Sequence, residues 1–260
     1  MNRPLYSQLV DYYEILEGRD WHTEVDLIAF ILQGRKCASV LDLGCGTGLH
    51  VRVLTERGFK AIGVDISRTN VSYARRKAKM ESVAASFVVG SYYSYRPEEP
   101  FDAAICLNWS IPVRDNEVKR FLTNTRALLR PGGLLIFDYE RASQIVRGDL
   151  GRAIVESWNL KDKVIVRSSV GHLESNVLFS RDVYIIYPST SRLKAPLEEM
   201  RYDASRHSND VQVYCDTSCV RFFSMTEIRK LAKDSGFKMV DNFVLPRKKY
   251  SRNYAVLQRL

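Results

Sequence analysis

Long apolar runs are missing from this chain of 260 residues. None approaches the roughly 20 residues that a transmembrane helix needs. The first residues, Met1 to Tyr6, also lack the basic start and apolar stretch of a secretion signal. We therefore expect no membrane partner and a cytoplasmic location.

Cysteine and histidine are scarce and scattered along the chain. There are five cysteines and four histidines, and an odd number of cysteines without a secretion signal favours reduced thiols. Cys215 and Cys219 are the only close pair, and their spacing fits neither a Cys-x-x-Cys redox motif nor a common zinc site. We expect no bound metal.

Acidic residues are outnumbered by basic ones, 30 against 39, which gives a formal net charge of +9. A basic surface raises the association rate of anions, so a phosphorylated small molecule or a nucleic acid is a candidate partner. The basic residues are not gathered in a tail. The runs at 75–79 and at 247–249 with Arg252 are typical of a solvated surface.

Two helices are predicted before the first strand, and they form an N-terminal helical cap over residues 1–36. Residues 5–17 are predicted to form an amphipathic helix, because large side chains recur there at helical spacing. These side chains are Tyr6, Leu9, Val10, Tyr13 and Leu16. The second helix ends near Gly34. Its apolar residues are Val25, Ile28, Phe30, Ile31 and Leu32.

Between residues 37 and 150, short apolar runs alternate with segments of helical periodicity. The runs predict strands at 40–43, 61–64, 86–89, 103–107 and 134–137. Strands separated by helices form a parallel sheet with helices on both faces. This pattern predicts an α/β fold that is Rossmann-like and doubly wound.

The pattern changes after residue 150. Strand-like runs have no helices between them at 164–166, 177–179, 183–187 and 211–214. Residues 151–222 are therefore predicted to form an antiparallel β insertion that acts as an acceptor-side lid. The α/β pattern resumes over residues 223–260, where Ser224 and Glu227 form a capping-box pattern. Strands follow at 237–240 and 254–257.

The run Val40 to Gly48 carries the strongest functional signal. A strand passes into a loop with glycines at 44, 46 and 48 and then into a helix. Glycines let a ligand approach the backbone closely, and open α/β sheets bind ligands at the carboxyl ends of their strands. The spacing differs from the G-x-G-x-x-G of NAD enzymes, because Leu49 stands at the third glycine. A tight turn without a ligand is the alternative.

Asp65 closes the second strand, 17 positions after Gly48. A carboxylate there can accept hydrogen bonds from both hydroxyls of an adenosine ribose, and its charge disfavours a 2′-phosphate. Taken alone, an Asp before Ile66 and Ser67 is also typical of a helix entry.

Four segments in this order resemble the class I S-adenosylmethionine-dependent methyltransferases: 40–48, 63–67, 101–105 and 129–134. The similarity covers about residues 37–140 and returns at 223–237. It implies a mostly parallel, seven-stranded sheet whose last strand is antiparallel. It also implies S-adenosylmethionine as the cofactor and in-line transfer of its methyl group to an acceptor.

By position, the resemblance implies a set of cofactor-binding residues. Those facing the methionine part are Asp42, Gly44, Cys45, Gly46 and Gly48. Asp65 would bind the ribose, with Ile66 against the adenine. Ser91 stands where the family often has an Asp near the adenine amino group, and it can hydrogen-bond there without charge. Leu107 and Asn108 would flank the sulfonium and the acceptor.

A looser resemblance, to small-molecule N-methyltransferases of the nucleotide-sugar amine and glycine types, rests on the Tyr-bearing N-terminal helix and the β-rich insertion. The sugar enzymes carry a Ser-Ile-Gly-His run after the fourth strand. Here Ser110-Ile111 is followed by Pro112-Val113, so that histidine is absent.

The acceptor-side candidates are Tyr6, Tyr13, Asn108 and Trp109. Aromatic faces favour a cationic sulfonium or amine nearby, and Trp109 lies just past a strand end. Tyr6 and Tyr13 are seven residues apart on one predicted helical face, where packing of the helix is the alternative role. No residue is predicted to be the catalytic base.

The leading hypothesis is a methyltransferase acting on a small molecule, which could be anionic, with N-methylation favoured over O-methylation. The net charge keeps an RNA methyltransferase as an alternative, although residues 108–111 lack the Asn/Asp-Pro-Pro-aromatic run of enzymes that methylate exocyclic base amines. A non-catalytic, cofactor-binding regulatory subunit is the other alternative. The sequence predicts no oligomeric state.

Overall fold

The computed structural model of the chain divides into two compact units. The described residues are 3–17, 21–141, 143, 150–189, 211–246 and 251–260. The core unit is built from residues 4–145 and 220–260, and the insertion unit from residues 146–219 together with Arg3. The predicted boundaries at 37, 151 and 223 stay predictions.

The N-terminal cap begins with short turns and not with one helix. Two 3-10 turns, Pro4–Tyr6 and Val10–Tyr12, precede α1 (Tyr13–Leu16). The expectation of a single helix over residues 5–17 is wrong, because the backbone bonds elsewhere. The Leu9 N–H donates to the carbonyl of Pro4, five residues back, and the carbonyl of Tyr6 accepts a hydrogen bond from the Ser67 hydroxyl.

The second helix of the cap, α2 (Trp21–Gly34), ends where the sequence predicts. Its core-facing residues include Val25, Ile28 and Leu32. Phe30, expected among them, is 74% exposed, because the spacing of the buried residues places it on the opposite side of the helix.

In the described residues, seven strands form the main sheet, and the prediction of a doubly wound α/β fold is confirmed. The first half of the chain supplies β1 (Ser39–Leu43), α3 (Leu49–Glu56), β2 (Lys60–Asp65), α4 (Arg68–Met80), β3 (Ser86–Val89), β4 (Phe101–Cys106), α5 (Asp115–Leu128) and β5 (Leu129–Arg141). The C-terminal part supplies α6 (Met225–Asp234), β10 (Phe237–Leu245) and β11 (Arg252–Arg259). The order is β3-β2-β1-β4-β5-β11-β10, and β11 is antiparallel to both neighbours.

Helices cover both faces of this sheet. Residues of α2, α3 and α4, such as Ile28, Val51 and Val71, share one buried cluster. Residues of α5 and α6, such as Phe121 and Ile228, share the other. Each helix therefore buries one apolar face against the sheet.

The fifth strand is longer than predicted. It runs from 129 to 141 rather than from 134 to 137. Its last residues, Glu140 and Arg141, pair in parallel with Phe222 and Phe223 at the end of β9 (Gln212–Phe223). A partner more than 80 positions away extends the strand, and no local pattern announces such a partner.

The insertion unit contains β6 (Ala153–Asn159), β7 (Lys163–Glu174) and β8 (Val177–Pro188), paired antiparallel in chain order. This confirms the antiparallel insertion after the fifth strand. The two strands expected at 177–179 and 183–187 are one strand, because Arg181 and Asp182 pair with Val170 and Ser169 despite their polarity. In the described residues, no helix is long and apolar enough to cross a membrane.

Phe121 and Phe30 give a matched test of this packing. Phe121 is 0% exposed and Phe30 is 74% exposed. We expect Phe121→Ala to lower the free energy of unfolding by about 3–5 kcal/mol, because it leaves a cavity between α5 and the sheet. Phe30→Ala should change it by less than about 0.5 kcal/mol. Urea unfolding measures both, and equal losses would contradict this packing.

Candidate active site

The parallel pairing of β1 with β2 and β4 brings three strand ends to one edge of the sheet. Asp42 pairs with Gly63 on one side and with Ile105 on the other. Asp65 is the last residue of β2, and the glycine loop and the segment from Leu107 directly follow β1 and β4. The predicted cofactor-binding residues of the core therefore converge on this edge.

The glycine loop folds back over the end of β2. The N–H groups of Gly44 and Cys45 donate to the carbonyl of Val64 over 2.8 and 3.1 Å. The Gly46 N–H donates to Asp65 Oδ2 over 2.9 Å, and the Ser67 N–H donates to Asp65 Oδ1 over 2.7 Å. Asp65 thus links the loop after β1 to the start of α4.

Glycine stands at two positions of the loop for different structural reasons. Gly48 has a φ of +75°, and a Cβ there would come within 2.7 Å of the Ala74 Cβ, so a side chain would push α3 off its neighbours. Gly46 has a φ of +53°, but a Cβ there would meet nothing within 4 Å. The backbone at Gly46 therefore faces open space that a ligand can reach.

Asp42 is a buried carboxyl group in the centre of this edge. It is 3% exposed. In the described part of the chain, its Oδ2 has no hydrogen-bond donor. Burial, with the charges of Asp65 and Glu24, raises its pKa to about 8. A buried oxygen without a donor is the kind of group that a bound cationic donor satisfies.

The predicted adenine-side residues flank Asp65 or follow β3. Ile66 is 77% exposed beside Asp65. Ser91 is half-buried, and its hydroxyl oxygen accepts the Tyr93 N–H over 3.2 Å.

Cys45 is buried, and burial raises the pKa of its thiol well above its ordinary value. It is therefore a neutral packing residue of the loop at ordinary pH.

The predicted acceptor-side residues Asn108 and Trp109 form a tight turn after β4. Both have left-handed backbones, with φ of +62° and +57°. The Trp109 N–H donates to Asp138 Oδ1 over 3.2 Å, and its indole N–H donates to Glu140 Oε1 over 3.0 Å. Trp109 is 38% exposed. The turn thus presents a held aromatic ring at the strand ends, while Leu107 is buried beneath it.

A buried charged cluster, which the sequence does not reveal, supports this turn. Arg252 is 4% exposed, and its guanidinium lies 2.7 Å from Asn108 Oδ1 and 2.9 Å from Asp138 Oδ2. Glu24 accepts the Tyr254 hydroxyl over 2.6 Å. The expectation that Arg252 belongs to a solvated basic surface is wrong, because it begins a central strand and neutralises buried carboxylates.

The N-terminal cap is linked to the glycine loop through Arg52. The rings of Tyr6 and Tyr13 lie 5.9 Å apart between centroids. Arg52, which is buried on α3, donates to the Thr47 carbonyl in the glycine loop over 2.7 Å and pairs with Glu14 of the cap over 3.2 Å. Arg52 was also missed, because an arginine inside an amphipathic helix is expected at the surface.

Known proteins share this domain and fold. Residues 40–133 match the family described as methyltransferase domain. A dTDP-4-amino-2,3,4,6-tetradeoxy-D-glucose N,N-dimethyltransferase of Saccharopolyspora spinosa is 22% identical over 90% of this chain and 86% of its own length. A ubiquinone biosynthesis O-methyltransferase of Rhodopseudomonas palustris is 32% identical over 37% of each chain.

Among solved structures, the sugar N-methyltransferase KedS8 of a Streptoalloteichus species has the same fold. Its TM-score is 0.75 at 20% identity, and the match covers 96% of this chain and 92% of that one. The family match places a methyltransferase domain at residues 40–133, and the fold agrees with the class that the sequence predicts, the class I S-adenosylmethionine-dependent methyltransferases.

The raised pKa of Asp42 predicts a pH-dependent stability. Between its ordinary value of 3.8 and about 8, the folded chain keeps a proton that the unfolded chain has lost, so Asp42 makes stability fall as pH rises. Between about pH 5 and 8, we expect the free energy of unfolding of Asp42→Asn to rise relative to that of the ligand-free wild type. The rise should be at most about 1.4 kcal/mol per pH unit. Urea unfolding across this range measures the difference.

Asp102→Asn is the matched control. Although burial raises the pKa of Asp102, hydrogen bonds from Ala38 and Ser39 and the charge of Arg130 lower it overall. The stability that Asp102 contributes is therefore fully present above its ordinary pKa. The difference in the free energy of unfolding between Asp102→Asn and wild type should stay constant over the same pH range. A pH-independent difference for Asp42→Asn would contradict the assignment.

The position of Asp65 predicts a loss of cofactor binding. We expect Asp65→Ala to weaken binding of S-adenosylhomocysteine by about ten- to hundredfold, because charge-assisted hydrogen bonds are lost. Asp234→Ala, an exposed Asp at the end of α6, is the control and should leave the affinity unchanged. Calorimetry measures both, and equal affinities would remove Asp65 from the site.

Proposed function

We propose that this chain transfers a methyl group from S-adenosylmethionine to an amine nitrogen of a small molecule. The observation that carries the proposal is the held Trp109 ring beside the Glu140 carboxylate at the acceptor end of the strand edge. An aromatic ring and a carboxylate together suit an amine, which is cationic before it loses its proton.

The residues present fit the cofactor. Asp42 offers a buried oxygen without a donor in the described residues, which suits the amino group of the methionine part. Gly46 and Gly90 face open space where a side chain would otherwise stand. Asp65 keeps lone pairs for ribose hydroxyls, and the exposed Ile66 suits the adenine face.

We assign the cofactor side to Asp42, Gly44, Cys45, Gly46, Gly48, Asp65, Ile66, Ser91, Leu107 and Asn108. When bound, S-adenosylmethionine supplies a methyl group activated by a sulfonium. The chain then has to hold the acceptor in line and exclude water. Asn108 and Trp109 orient the acceptor, and Tyr6 and Tyr13 remain acceptor-side candidates on the cap.

Nitrogen is favoured over oxygen by two observations. The N,N-dimethyltransferase relative aligns with 90% of this chain, whereas the ubiquinone biosynthesis O-methyltransferase relatives align with 37% to 67% of it. At the proposed acceptor end, the carboxylates of Glu24, Asp138 and Glu140 also lie around the guanidinium of Arg252 and the indole of Trp109. This local excess of negative charge suits a cationic amine better than the phosphates of RNA.

A transfer assay with matched acceptors tests the proposal. S-adenosylmethionine with a labelled methyl group is offered to amino-sugar nucleotides, to glycine and other amines, to hydroxyl analogues of the same compounds, and to tRNA and rRNA. We expect label on amines and none on their hydroxyl analogues. The rate should rise with pH, because only the neutral amine attacks.

Trp109→Ala should lower kcat/KM for the amine by about tenfold, while the exposed-ring control Phe30→Ala should not. Label only on hydroxyl compounds, or only on RNA, would contradict the proposal. Cofactor binding without transfer to any acceptor would favour a regulatory subunit.

A further inference from the structure

We infer that Arg252 is a positioning residue for the methyl acceptor, because it holds the turn formed by Asn108 and Trp109. This inference rests on the proposed function, which places the acceptor beside Trp109. Arg252 itself lies at the start of β11, almost 150 positions further along the chain. It is separated in sequence from every motif that identified the site.

The turn needs support from outside its own backbone. Asn108 and Trp109 are consecutive residues other than glycine with left-handed φ values of +62° and +57°. A large residue such as Trp rarely adopts this conformation, and such backbones persist where the surroundings hold them.

One guanidinium contacts both residues of the turn. Arg252 Nη1 donates to Asn108 Oδ1 over 2.7 Å, and the guanidinium carbon lies 4.7 Å from the centre of the Trp109 ring. Asp138 closes the arrangement. Its Oδ2 lies 2.9 Å from Arg252, and its Oδ1 accepts the Trp109 backbone N–H over 3.2 Å.

The same contacts set the orientation of the indole. The guanidinium lies over the ring, and the indole N–H is bonded to Glu140 over 3.0 Å. These two constraints act in different directions, so the ring has one position. The 38% of Trp109 that stays exposed is the surface that meets the acceptor.

The arginine is held in place by buried acids. Arg252 is 4% exposed and lies 3.7 Å from Glu24, which is 1% exposed and also accepts the Tyr254 hydroxyl. These carboxylates, Asp138 first, keep the pKa of Arg252 above its ordinary value despite burial. A lysine would keep the charge, but it has no guanidinium plane to stack on the Trp109 ring.

The experiment follows Trp109 as the only tryptophan, excited at the red edge of its absorption so that the 14 tyrosines do not contribute. The other two tryptophans, Trp21 and Trp158, are changed to phenylalanine. Arg252→Lys and Arg252→Met are compared with Arg259→Met, the matched control at the other end of β11, where Arg259 donates to the carbonyl of Arg126 over 3.0 Å. Emission, acrylamide quenching and S-adenosylhomocysteine affinity are measured for each.

Both Arg252 variants should raise the quenching of Trp109 by about twofold or more, because the ring loses its stacked guanidinium, and Arg259→Met should not. Affinity for S-adenosylhomocysteine should fall much less than kcat/KM for the amine, because Arg252 contacts Trp109 and Asp138 as well as Asn108, which is the only one of the three assigned to the cofactor side. With the amine found above, kcat/KM should fall by about tenfold through KM.

Unchanged emission and quenching in a folded Arg252→Met protein would overturn the inference, and so would an equal loss of S-adenosylhomocysteine affinity. Arg252→Lys keeps the test open if Arg252→Met does not fold. A chain that methylates no amine sinks the proposed function, whereas the fluorescence result for the turn is obtained without any acceptor.

Discussion

The site depends on the pairing of β1 with a parallel strand on each side. Because β2 and β4 both run alongside β1, the chain leaves the sheet three times at neighbouring points of one edge. The hydrogen bond from Gly46 to Asp65 then joins the first two exits. A loop that admits a ligand and a carboxylate that suits a ribose are thereby held together before any ligand arrives.

The proposed acceptor end is built on a different principle. There the chain buries an arginine among carboxylates, and these charges are tolerated because they neutralise one another. The network joins α2, the ends of β4 and β5 and the start of β11 through Glu24, Asn108, Asp138 and Arg252. It holds a tryptophan in a backbone conformation that few sequences adopt unaided. The role of the insertion as an acceptor-side lid stays a prediction.

Much of the core could be read from local pattern. Apolar runs predict β1, β2 and β3. The helix caps follow from the side-chain hydroxyls of Ser67 and Ser224, which accept helix N–H groups. What could not be read depends on distant partners. The last two residues of β5 pair with β9, the broken N-terminal helix bonds to Ser67, and the buried Arg252 pairs with Asp138.

We propose that the turn after β1 and Asp65 hold the two ends of an adenosyl sulfonium. A crystal structure of the chain with S-adenosylhomocysteine is the sharpest test. We expect both ribose hydroxyls within hydrogen-bonding distance of the Asp65 carboxylate and the amino group of the ligand at Asp42. Density for the ligand elsewhere on the chain, with these carboxylates unchanged, would contradict it.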